Sequence, residues 1–165
     1  MKVKLTGMDA VQRTFKDLEA NLNYAMGSAL FVGARVMVDE VNAGLQALPV
    51  QENKAGHAPY VKPGKKLHGI TSSQKSDLIG ALGIAQFKET NGTLNTSVGF
   101  DGYCSDSYWH DGEKLPVQVL MREVESGTSW MDKHPVVRPA VNRAKKKMID
   151  IMDKKFKEKE IKDNG

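Results

Sequence analysis

The sequence predicts an α+β fold: a small antiparallel sheet packed against a long N-terminal helix and a C-terminal helix. Three patterns carry that expectation. Leu22, Met26, Ala29, Leu30, Gly33, Val36, Met37, Val41 and Leu45 make one apolar stripe at helical spacing over about six turns. Asn91-Gly92 separates two alternating runs, and both residues tolerate the positive φ of a tight hairpin turn. Val141, Ala144, Met148, Met152 and Phe156 recur at i, i+3, i+4, with lysines and acids on the other faces.

The chain has 165 residues, about one domain, long enough to bury a core without disulfides or metals. Hydrophobic residues make up 40% and charged ones 27%, which excludes wholesale disorder, a collagen repeat and a disulfide scaffold. No apolar run approaches the ~20 residues of a membrane span. The N-terminus lacks the apolar stretch of a secretion signal. Cys104 is the only cysteine, so no internal disulfide forms, and this fits a reducing cytoplasm.

Taken in order, Val3 and Leu5 alternate with lysines and predict a short edge strand over 2–5. Asp9 and Gln12 read as a capping box ahead of Val11, Phe15 and Leu18. Asn21 and Asn23 suggest a break, after which the long stripe runs to Pro49. Its small residues (Ala25, Gly27, Ala29, Gly33, Ala34) allow another backbone to approach closely. Residues 49–75 hold three prolines and five lysines with almost no large apolar side chain; they predict a long, mobile basic loop. Residues 76–80 predict a short helical turn. Residues 81–89 and 93–100 predict the hairpin, and 101–114 an acidic, aromatic loop. Residues 116–124 are apolar and predict a strand from Pro116, with a helix as the alternative. Pro139 needs no N–H in a first helical turn, so the last helix is expected over 139–161.

Charge is unevenly placed. Residues 1–48 are neutral, 49–75 carry +4, 76–140 carry −4 and 141–165 carry +4. Opposite patches on one small domain steer copies onto each other or onto other partners.

Catalytic and metal-binding patterns are missing. Cys104, His110 and Asp111 are close in sequence, which does not make them converge in space as a nucleophile and its base must. The scattered histidines and single cysteine give no paired zinc-ligand spacing. The acidic residues between 101 and 113 do not fit a calcium loop, and no phosphate-binding glycine motif is present. No enzyme activity, cofactor or metal is therefore expected. The basic loop, with Lys54, Tyr60, Lys62, Lys65 and Lys66, mixes lysines with aromatics as nucleic-acid surfaces do. So few lysines release few counterions, so binding would be weak and salt-sensitive.

Residues 123–143 read Glu-Val-Glu-Ser-Gly-Thr-Ser-Trp-Met-Asp-Lys-His-Pro-Val-Val-Arg-Pro-Ala-Val-Asn-Arg. In elementary terms, Gly127 supplies a turn conformation closed to other residues, and Thr128 can bond the turned backbone. Pro135 and Pro139 stiffen the crossing segment. Arg138 stands at a helix entrance with a fork suited to a carboxylate, for which Glu123 and Glu125 are the candidates. The run resembles the closing signature of the small tail-component family of tailed bacteriophages, the neck or tail-completion proteins: an acid, an aromatic, Gly-Thr, a spacer, then Pro, two apolar residues, Arg-Pro-Ala and a helix. Glu125, Gly127 and Thr128 match its first half; Pro135, Arg138, Pro139 and Ala140 match its second. Ser126, Val136 and Val137 stand where the family usually carries larger side chains.

The resemblance implies a structural protein of a phage or phage-derived (prophage) particle that joins or completes the tail at the head–tail neck. It implies assembly as a homo-oligomeric ring, a hexamer being expected, beside neighbouring connector and tail proteins. The expected place is the virion neck, after assembly in the bacterial host cytoplasm, with no membrane involved. The alternative is a DNA-contacting adaptor using the basic loop 49–75.

Overall fold

A computed structural model of the chain describes residues 8–108 and 112–163. The strand expected over 2–5 lies outside them. Helix α1 spans Met8–Gln46 without a break, about 58 Å at 1.5 Å per residue. Asn21 and Asn23 are exposed on it. Each costs only a few tenths of a kcal/mol in solvent-facing helix, too little to interrupt a helix whose other face buries Ala25, Ala29, Ala34, Val41 and Leu45.

Helix α4, Val137–Asp163, lies antiparallel against α1. Val136, just before it, sits beside Gly44, and Arg143 and Lys147 farther on reach back to Glu40. A Cβ on Gly44 would stand 2.7 Å from Val136 Cγ1. Small residues of α1 let the two helices close: Gly33, one of those the sequence singled out, lies against Met152, and Gly44, which it did not, against Val136. On α4 the facing positions include Ala140 and Ala144, both fully buried.

The strands form three separate antiparallel pairs. β1 (Leu82–Ile84) pairs with β4 (Val98–Phe100), and β2 (Lys88–Thr90) with β3 (Thr93–Asn95). Their registers, Ile84 opposite Val98 and Glu89 opposite Leu94, belong to the one expected hairpin, interrupted in its middle. Ala85 N still donates to Ser97 O there. Asn91 (φ 52°) and Gly92 (φ 73°) make the turn.

Several segments differ from the sequence reading. The turn at 76–80 is part of helix α2, Ser72–Ala81, opened by a reciprocal cap: Thr71 Oγ1 accepts from Gln74 N, and Gln74 Oε1 accepts from Thr71 N. Residues 101–114 are not all loop, since β5 (Tyr103–Tyr108) pairs with β6 (Lys114–Pro116). β5 is polar because α2 holds it through side chains: Asp77 accepts from Ser105 N at 2.8 Å, Ser73 Oγ donates to Asp106, and Gln74 Nε2 donates to Ser107. Residues 117–126 are helix α3, Val117–Ser126, not a strand. Val117, Leu120, Met121 and Val124, all buried, fall at i, i+3, i+4, i+7, a helical period that outweighs the β-branched valines. Finally, α4 starts two residues before Pro139.

The largest difference concerns 49–75, expected as a long mobile loop: residues 51–66 carry no helix or strand, but both ends of the segment are tied to the core. Gln51 N donates to Ile70 O at 2.9 Å and Ile70 N to Pro49 O at 3.1 Å; Leu67 N donates to Trp130 O and Asp132 N to Leu67 O, both at 2.8 Å. Leu67 and Ile70 are buried with Met131, Leu45, Leu78 and Leu120 in one core cluster. Lys75 Nζ closes the end of α1 by donating to the Gln46 and Leu48 carbonyls. Two isolated apolar residues thus fix a segment that carries no repeating pattern.

Candidate functional site

The signature folds as one hydrogen-bonded device joining the end of α3 to the start of α4. Glu125 Oε2 accepts from Val136 N at 2.6 Å and Val137 N at 2.9 Å, and Oε1 accepts from Arg138 N at 3.1 Å. The next residue, Pro139, has no N–H. Every free donor at the head of α4 is therefore bonded to one carboxylate or absent. An acid here also favours the positive end of the helix dipole. Glu125 does not pair with the Arg138 guanidinium, as the sequence suggested. Arg138 contributes its backbone N–H, and its side chain is exposed.

Gly127 and Thr128 shape the turn between. Gly127 has φ 73° and ψ 169°, a region essentially reserved for glycine. A Cβ there would lie 2.9 Å from Lys133 N. Its own N–H donates to Glu123 O at 2.7 Å. Thr128 Oγ1 accepts from Trp130 N and Met131 N, while Thr128 N donates to Met131 O. The turn-bonding role read for Thr128 is what it does. Pro135 is exposed on the crossing stretch that follows. His134 N donates to Val124 O at 2.7 Å, and its Nε2 is buried with no hydrogen-bond partner among the described residues.

The basic loop divides. Lys66 Nζ donates to the Thr128 carbonyl at 2.8 Å, so it belongs to the turn and is not a free lysine. His68 Nδ1 meets Asp132 Oδ2 in the same crossing. Lys54, Tyr60, Lys62 and Lys65 stay exposed, Tyr60 at 88%. Asn53 shapes their turn by accepting from Ala55 N and His57 N.

Cys104 is fully buried on β5. Burial, reinforced by the charges of Asp77 and Glu123, pushes its thiol up to about 11, so at neutral pH it is protonated and a poor nucleophile. His110 and Asp111 lie outside the described residues. Among the described residues no group of three metal-ligating side chains converges, and no helix is long and apolar enough to cross a membrane.

Sequence reasoning missed a mixed cleft of about 400 Å³ between α2, β5 and α3, walled by Tyr108, Trp130, Leu115, Gln74 and Glu123. Its residues come from four separate stretches, so no local pattern announces it. Burial raises the Glu123 carboxyl above its ordinary value, with Arg122 opposing. A second groove, about 310 Å³ and mainly apolar, runs between α1, α4 and β4. Compared with known proteins, the chain matches no family model, no curated protein and no solved structure.

Proposed function

We propose that this chain is a structural component of a phage or phage-derived particle, joining or completing the tail at the head–tail neck as a ring of identical subunits. The observation that carries the reading is the signature itself. The residues that resemble the tail-component pattern, Glu125, Gly127, Thr128 and Pro139, are the ones that cap α4 and set the turn. Their role is to hold a shape, which suits a protein that works by fitting against others.

A ring of one subunit needs a heterologous contact that closes. The charge segments supply opposite signs for it, acidic over 76–140 and basic over 49–75 and 141–165. Imaging of the purified full chain and of its parent particle tests the proposal. Rings, or density for the chain at the neck, support it; a complete, infectious particle without this subunit overturns it. Lys62→Glu with Lys65→Glu, or added salt, is expected to weaken assembly. Lys66 is left out of that variant because it bonds its own Thr128.

The DNA-adaptor reading keeps one favourable observation, the exposed Lys54, Tyr60, Lys62 and Lys65 on a single loop tip. Binding of duplex DNA with a steep salt slope would favour it over a purely protein-contacting role.

A further inference from the structure

The cleft between α2, β5 and α3 combines aromatic side chains with an acid that no described residue hydrogen-bonds. Tyr108 and Trp130 wall it while remaining 59% and 45% exposed. Glu123 on α3 lines the same cleft, and its carboxylate accepts no hydrogen bond from any described residue. Gln74 and Ser107 are already bonded to each other at 3.1 Å. Aromatic side chains beside a carboxylate that is not hydrogen-bonded, although the Arg122 charge lies near it, can bind an ammonium or guanidinium group.

The same molecule displays a matching surface elsewhere. On α4, Lys145 and Lys146 are exposed and have no acidic partner among the described residues, unlike Arg143 and Lys147, which share Glu40. They flank Ile149, which is 56% exposed, one turn farther along. The patch of Lys145, Lys146 and Ile149, which Asp150 shares, carries two cations toward a mixed aromatic and polar cleft with one acid.

We propose that the Tyr108–Glu123–Trp130 cleft of one copy receives Lys145 or Lys146 of a second copy, with Ile149 packing at its rim. This rests on the ring reading and names the contact that would build the ring. The cleft is built from α2, β5 and α3 and the lysines stand on α4, so each copy gives with one element and receives with others, as a head-to-tail interface requires.

Sedimentation of the full chain tests it. Glu123→Lys alone and Lys145→Glu/Lys146→Glu alone should each abolish association, with unchanged melting temperatures showing that both fold. Mixed together, the two variants should associate again, because the intact cleft of one takes the intact lysines of the other and the two reversed charges attract. If wild type associates and these variants do so equally well, the contact is wrong while the ring reading stands. The cleft is also probed directly, by titrating labelled full chain with a synthetic peptide of residues 141–158 and following the Trp130 indole N–H. Saturable shifts, weakened about tenfold by Glu123→Gln, support the cleft even if the isolated chain is monomeric. No shift at millimolar peptide overturns it. Peptide binding without any ring in solution or particle would overturn the ring reading and keep the lysine site.

Discussion

The α1–α4 pair and the two crossing stretches, 66–71 and 127–136, close the same core by different means. In the helical pair the backbone bonds are internal to each helix, and burial repeats with the helical period through Ala25, Ala29, Val41 and Leu45 on one side and Ala140 and Ala144 on the other. In the crossing stretches the backbone bonds run to each other, from Leu67 to Trp130 and from Asp132 to Leu67. Their burial rests on single residues, Leu67, Ile70, Met131 and Val136. A periodic face spreads its stabilisation over many weak positions. An aperiodic crossing concentrates it in a few, each with its own geometric demand.

That contrast is open to direct test. Gly127→Ala should have the largest effect, a loss of about 3–4 kcal/mol, because it combines backbone strain with a collision against Lys133; urea denaturation measures it. A shift no larger than that of an exposed alanine substitution would mean the crossing does not need that turn. Leu67→Ala should cost about 2–3 kcal/mol as a cavity in the core. Tyr60→Ala, seven residues earlier in the same loop, should stay within about 0.5 kcal/mol. Equal midpoints for the two would erase the distinction between anchored and exposed halves of the loop. Glu125→Ala removes the shared cap of α4 and should cost about 1–2 kcal/mol, read as a lower melting temperature with loss of helical signal.

The smallest effect is one of pH. Burial raises the Glu123 carboxyl above its ordinary value, so the folded chain holds a proton that the unfolded chain gives up more readily. The sign follows from linkage. This group favours folding at low pH, and its contribution is lost as pH rises through the raised value. Glu123→Gln should therefore gain on wild type between pH 4 and pH 7 in paired denaturation curves; a difference that does not change with pH would contradict the assignment.

Much of the fold was legible because periodicity is a local signal. The stripe from Leu22 to Leu45, the Asn91-Gly92 turn and the Val141–Phe156 repeat each announce an element that the structure contains. Helix α3 was misread although Val117, Leu120, Met121 and Val124 carry a helical period, because valines after a proline also suit a strand. Thr71 to Gln74 spells a capping box that would have extended α2. β5 had no apolar alternation to find, since α2 side chains hold it. In the site, Gly127 and Thr128 were legible from their own backbone chemistry. The partner of Glu125 was not, because a carboxylate facing amides 11 to 13 residues away leaves the same sequence trace as one facing an arginine.

Three amides on one carboxylate tie the fraying of two helices into a single event. The first turn of α4 cannot open to solvent while Glu125 holds it, and Glu125 cannot let go without stranding those amides. Any load pulling on the C-terminal helix is thereby handed to α3 and the centre of the molecule before it can peel the helix away.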